Sequence, residues 1–349
     1  MRRVIVLGLI GLLAITGSLI WRERVTAMSF QLSLKDSPEH GIQVTLPTDP
    51  GFDEKFLRFV KNQPKDVLEC IRPLSAIVHN RSKRVIVGIR LQWEVLKPDG
   101  SVLKIPVGSF NPAAFMYLGR PEFLRKLGAS VILPGHSVLL STGGSATEDQ
   151  DLQMDLAVLS FHGSQEDSAR FRAELSRGNQ LEAFKLSQKS TTGLLRDASA
   201  VTVSVDGVLF EDGTFIGDDQ TGLFSEARAY FDAERDLAKE VNDQSKRKTP
   251  SEVFTYVQQL TVPLSGTETL DGVRNDTVTD SSAAGTPNSD PRFATLYRFW
   301  KATHAQHLLA IKEKVGAKEA VEREARLATT PNIQLRKTEV TNPRRIKEQ

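Results

Sequence analysis

Apolar positions along this chain fall into three regimes. The first is an unbroken run from Val4 to Trp21, with Thr16 and Ser18 its only polar members, behind Arg2 and Arg3 and ahead of Arg22, Glu23 and Arg24. At about 1.5 Å per residue a helix of this run covers roughly 27 Å, close to the thickness of a hydrocarbon core. Residues 1–27 therefore read as an uncleaved signal-anchor, with Trp21 at the interface. The alternative is a signal cleaved near Ala27, where Val25 and Ala27 are small; the charges at 22–24 count against it. The short segment before the run places the bulk of the chain outside the cytoplasm, on a bacterial inner membrane contacted through residues 4–21.

The second regime alternates. Val85, Val87, Ile89, Leu91, Trp93 and Val95 fall on one face of a strand over 85–96, with Gly88, Arg90, Gln92 and Glu94 on the other. Leu74–Asn80 reads as its partner across the turn Arg81–Arg84, and Ser101–Val107 returns after Pro98-Asp99-Gly100. Residues 29–47 read as a hairpin turned at Pro38–Gly41. Strands are also expected at Val131–Ser141 and Gln153–His162, separated by a polar, mobile loop Gly143–Asp151. Val201–Phe210 and Thr214–Ile216 form a hairpin turned at Asp212-Gly213.

The third regime has a period near 3.6. Phe52, Phe56, Phe59 and Val60 predict a short helix ended by Pro64, and residues 165–190 a helical insertion. Leu223, Ala227, Phe231, Ala238 and Val241 begin a helical extension over 223–262, with a second helix at Ser251–Leu260. Residues 263–290 are polar and read as a flexible linker. Residues 291–328 predict one amphipathic helix with the stripe Phe293, Tyr297, Trp300, His304, Leu308, Ile311 and Val315. Glu319–Arg323 and Glu322–Arg326 are spaced to pair on its solvated end, and the basic tail 329–349 reads as disordered.

These patterns predict a mainly β chain with α additions: an N-terminal transmembrane helix, an antiparallel β-sandwich over 28–222 and a helical C-terminal region. Ser75–Asp99 (SAIVHNRSKRVIVGIRLQWEVLKPD) and Val203–Gly217 (VSVDGVLFEDGTFIG) resemble a group of uncharacterised exported bacterial proteins. The likeness covers residues 66–222 and implies an immunoglobulin-like sandwich, without supplying a function. The cysteine pair of true immunoglobulin domains is absent, since Cys70 is the only cysteine of the chain.

Composition narrows the function. A net charge of +2, from 45 basic and 43 acidic residues, gives no electrostatic footprint for nucleic acid. Cys70 reads as a small buried residue. Asp206-Gly207, Asp212-Gly213, Asp218 and Asp219 are oxygen-rich but lack EF-hand spacing, so hairpin turns are preferred to a calcium site. His304 and His307 lie one helical turn apart without a third ligand, and packing is preferred. Ser245-Lys246-Arg247-Lys248 matches S-x-x-K without its companion motifs. No catalytic residue, cofactor or metal is expected.

The reading that follows is a membrane-anchored envelope protein, non-enzymatic, that binds or scaffolds through the sandwich and the stripe Phe293, Tyr297, Trp300, Leu308 and Ile311, which a protein partner would cover. Docking of that stripe on the chain's own sheet or on the 223–260 helices is nevertheless preferred, since an exposed apolar face is a liability. An envelope hydrolase or sugar-active enzyme using Glu211 and Asp212, and a spacer that holds the last helix away from the membrane, are the alternatives.

Overall fold

The computed structural model describes residues 31–35, 41–112, 114, 123, 126–127, 131–142, 144–154, 165–196, 198–261, 291–329 and 334–338. The expected anchor 1–27, the linker 263–290, most of the expected strand Gln153–His162 and most of the tail 329–349 lie outside them; within that tail Arg336–Thr338 form a strand where disorder was expected. The described strands are β1 (Gln31–Leu34), β2 (Ile42–Thr45), β3 (Ser75–Asn80), β4 (Ile86–Leu96), β5 (Val102–Phe110), β6 (Ser137–Ser141), β7 (Gly144–Thr147), β8 (Gln150–Met154), β9 (Ala200–Phe210), β10 (Thr214–Gly217) and β11 (Arg336–Thr338). The described helices are α1 (Phe52–Phe59), α2 (Lys65–Ile71), α3 (Gln165–Ser176), α4 (Gln180–Arg196), α5 (Leu223–Ser245), α6 (Pro250–Leu260), α7 (Pro291–Val315) and α8 (Ala317–Leu327).

One sheet runs β11-β10-β9-β4-β5, with β1 beside the first half of β9; the other runs β2-β3-β6-β7-β8. Their facing sides share one core. Ile42, Val44, Ala76, Val78, Val138 and Leu140 come from the second sheet, and Ile89, Leu91, Trp93, Val95, Ile105, Val107, Val201 and Val203 from the first. Helices cover the outer faces. Phe52, Phe56, Phe59, Val67, Ile71, Phe171 and Phe184 bury Ile77 and Leu139 of the second sheet. Leu223 and Ala227 of α5 pack with Val85, Val87, Leu209 and Phe215 of the first. The rest of α5 forms a helical layer with α6, α7 and α8.

This corrects the expected fold class. About half of the described structure is helical, so the chain is not mainly β. The first sheet is mixed, because β1 pairs β9 and β10 pairs β11 in parallel; an immunoglobulin-like antiparallel sandwich is not found. No helix among the described residues is long and apolar enough to cross a membrane, so no transmembrane helix is part of the described fold.

Local corrections have local causes. Residues 29–47 are not a hairpin: β1 joins β9 and β2 joins β3, in different sheets. β3 does not partner β4 either. The turn after Asn80 carries the chain from one sheet to the other, held by the Asn80 side chain, which donates to the Arg84 and Ile132 carbonyls and accepts from Ser82. The loop expected at 143–151 is mostly ordered, as β7, a turn and the start of β8. Pro64 caps the start of α2 rather than merely ending α1.

The 85–96 strand forms, but its faces switch. Ile86 pairs Phe210 while Gly88 pairs Leu209, so one extra residue bulges from β4. Val85 and Val87 consequently pack on the α5 side, whereas Ile89 onward points between the sheets. A second irregularity, between Arg90↔Gly207 and Leu91↔Val205, leaves Asp206 as the extra residue of β9.

Candidate functional site

Two polar clusters lie against α5, and they differ in how completely they are satisfied. The first is at the start of α5. The bulge turns Asp206 out of the pleat, and its carboxylate accepts the backbone N–H groups of Gln220 at 2.7 Å and Thr221 at 2.8 Å, together with the Thr221 hydroxyl. Gly217, at φ 131°, lets this loop lie against β9: an added Cβ would stand 2.2 Å from the Asp206 carbonyl oxygen. Asp219 accepts the Phe224 N–H and so closes the first turn of α5. Beside it the Arg90 guanidinium meets Glu226 at 2.9 Å, with both side chains buried. Gln92 donates to Glu94 and to Gln220, and Lys104 donates to Gln220. These groups fix where α5 leaves the sheet.

The second cluster lies deeper in the helical layer. α5 and α7 are pinned by Tyr297 donating to Asp236 at 2.9 Å and by Lys301 pairing Glu240 at 2.7 Å; Glu240 also accepts from Tyr256 of α6. One turn nearer the sheet, the Tyr230 ring stands edge-on to Trp300 at 5.1 Å and to His304 at 4.5 Å. His304 Nε2 donates to the Tyr230 carbonyl at 3.2 Å. The Trp300 indole N–H is buried without an acceptor. Facing this group, α8 presents Ala320, Val321 and Glu324, and Glu324 is only 8 % exposed. Among the described residues neither Glu324 nor Glu234 of α5 has a hydrogen bond or ion pair.

Electrostatics follow from that geometry. Burial, with the like charge of Glu234, pushes the Glu324 carboxyl up to about 7, and burial raises Glu234 as well. Burial holds His304 down at about 4, against its bond to the Tyr230 carbonyl. Burial and the two carboxyls raise the Tyr230 phenol. The arrangement can hold a neutral Glu324 carboxyl beside a neutral imidazole and exchange a proton near neutrality. We take it as the candidate functional site because strongly perturbed titrating groups cluster there.

The stripe residues fall within the helical layer. Phe293, Tyr297 and Trp300 pack around Ala229 and Leu296, Leu308 is buried, and Ile311 is partly buried against the α5–α6 core. The stripe therefore packs within the chain. The single helix expected over 291–328 is two, divided at Gly316. Glu319 pairs Arg323 at 2.6 Å as spaced, whereas Arg326 donates to the Glu322 carbonyl rather than to its carboxylate. His304 is in the cluster and His307 is on the exposed side.

Asp212 binds the Thr214 N–H and Arg84 at the hairpin turn, and the Glu211 N–H donates to Val85. Among the described residues no three His, Cys, Asp or Glu side chains converge on a metal position. Cys70 is half-buried on α2, and burial raises its thiol.

Sequence reasoning missed two features. Glu324 sits at a core position of the small-residue stripe Ala317, Ala320, Val321, Ala328, a signal that was available. His79 Nδ1 lies 2.9 Å from the Ser137 hydroxyl across β3 and β6. Burial, then Arg81 and Lys55, lower this histidine, and no carboxylate acts on it, so the pair lacks the acid that orients a catalytic base. The chain matches no family model, no curated protein and no solved structure.

Proposed function

We propose that the protein is a non-enzymatic binding or scaffolding component of a bacterial cell envelope, attached to or delivered through the inner membrane by the apolar run 4–21. One observation carries the non-enzymatic part. Three of the carboxylates with a chemical alternative, Asp206, Asp212 and Asp219, are engaged by backbone N–H groups, which supports reading them as structural posts rather than acids or bases in search of a substrate. The likeness of Ser75–Asp99 to exported proteins supports the compartment. Because the Trp300 stripe packs on α5, the binding surface in this reading belongs to the sheets and the outer helix faces.

The test is in-cell crosslinking of the full chain, followed by membrane fractionation and protease protection. A crosslinked assembly in the membrane fraction, with the chain digested only from the extracytoplasmic side, is the expected outcome. Recovery of a lone monomer, or protection of residues beyond 31 within the cytoplasm, overturns the reading.

A further inference from the structure

α8 packs on α5, α6 and α7 through small side chains, Ala317, Ala320 and Val321, and sets the Glu324 carboxyl among them. It joins α7 through Gly316, at φ 87° and ψ 158°, a conformation open to glycine and strained for other residues. On its other side the chain continues to β11, three exposed residues long. We propose that α8 is an acid-tightened latch: neutral Glu324 seats the helix against α5, ionised Glu324 loosens it, and Gly316 is the hinge.

The groups facing Glu324 decide the sign. From α5 they are the Glu234 carboxyl and the Tyr230 phenol, and from α7 the neutral His304, which bonds the Tyr230 carbonyl rather than α8. No titratable group of α6 acts on it; Tyr256 is turned to Glu240. Nearby cations are engaged elsewhere: Arg323 with Glu319, Arg326 with the Glu322 carbonyl, Arg235 with Asp232 and Asp236, and Lys301 with Glu240. Among the described residues no cation pairs with Glu324, and ionised Glu234 repels it.

Docked, the carboxyl titrates at about 7; released into water, it returns to about 4.5. Docking is therefore tightest below about 4.5 and weakens as pH rises to about 7, where the loss is complete. The two values correspond to a roughly 300-fold change in the undocking equilibrium. Glu234 moves in the same sense, because it too is raised by burial. His304 titrates at about 4 and stays neutral through most of this window.

Hydrogen exchange on the full chain, at about pH 5 and about pH 8 and corrected for intrinsic rates, tests this. The segment Ala317–Leu327 should lose protection by up to roughly 70-fold at the higher pH, while α5 keeps its own. Glu324→Gln should abolish the difference and leave α8 protected at both values, and Glu234→Gln should shrink it. Equal α8 protection at both values in the native chain overturns the proposal, as does a pH effect that survives Glu324→Gln. If that variant fails to fold, the native comparison alone still decides.

Discussion

Arg90 and Glu226 show what burial demands of a charged side chain. They meet between β4 and α5, 4 % and 2 % exposed, where neither charge is tolerable without the other. Glu226→Ala should therefore cost about 3–5 kcal/mol in urea unfolding, and Arg90→Met combined with Glu226→Leu should recover most of that loss. A double variant as unstable as the single one would refute this. The alternation of β4 marks Arg90 as facing away from the sheet core, but nothing in sequence places Glu226 against it, because the two are 136 residues apart. Glu324 and His304 act on stability with opposite signs. The raised carboxyl makes the fold less stable as pH climbs from about 4.5 to about 7; the depressed imidazole makes it less stable as pH falls from about 6.5 to about 4. Over the shared range they offset, so the urea midpoint of the native chain should be nearly flat. Glu324→Gln should expose the acid-side loss and His304→Gln the opposite slope, each up to about 1.4 kcal/mol per pH unit. Parallel pH profiles for the two variants would contradict this assignment.

Elements were legible where a single period ran uninterrupted. α1, α5 and α6 follow their apolar spacing, and α6 begins at the Thr249–Glu252 capping box, ahead of Pro250. Where a single residue interrupts the period, the expectation failed. The bulge in β4 reverses the faces of Val85 and Val87, since an inserted residue shifts every side chain before it to the other side. Gly316 similarly splits a helix whose charge pattern continues through it, because the reversal is written only in backbone conformation. Gly316→Ala should cost about 1–3 kcal/mol from strain at that position, measured by thermal or urea unfolding. A neutral or stabilising result would mean that α7 and α8 can fuse into one helix, and the hinge would be lost with it.

At the scale of the molecule, the alternating strands and the helical additions were readable, but their balance and pairing were not. Both outer faces of the sandwich carry helices, and those helices sit between strands in sequence, which hydropathy alone cannot assign to a sheet face. The Trp300 stripe shows the same limit: its pattern is that of a docking helix, and only the fold reveals that it docks on α5. A chain ending at Ser289 should therefore uncover Leu237, Val241 and Tyr230, bind a hydrophobic dye and melt at lower temperature; an equally stable, dye-free truncation would contradict this packing. The two parallel pairings carry a consequence for biosynthesis. β9 receives β1 from roughly 170 residues earlier, and β10 receives β11 from roughly 120 residues later. The first sheet cannot be completed until β11 has emerged from the ribosome, so β10 must carry an open edge while the roughly 120 residues between them are made. Slowing translation between β10 and β11 should lengthen that exposure more than slowing it anywhere before β9.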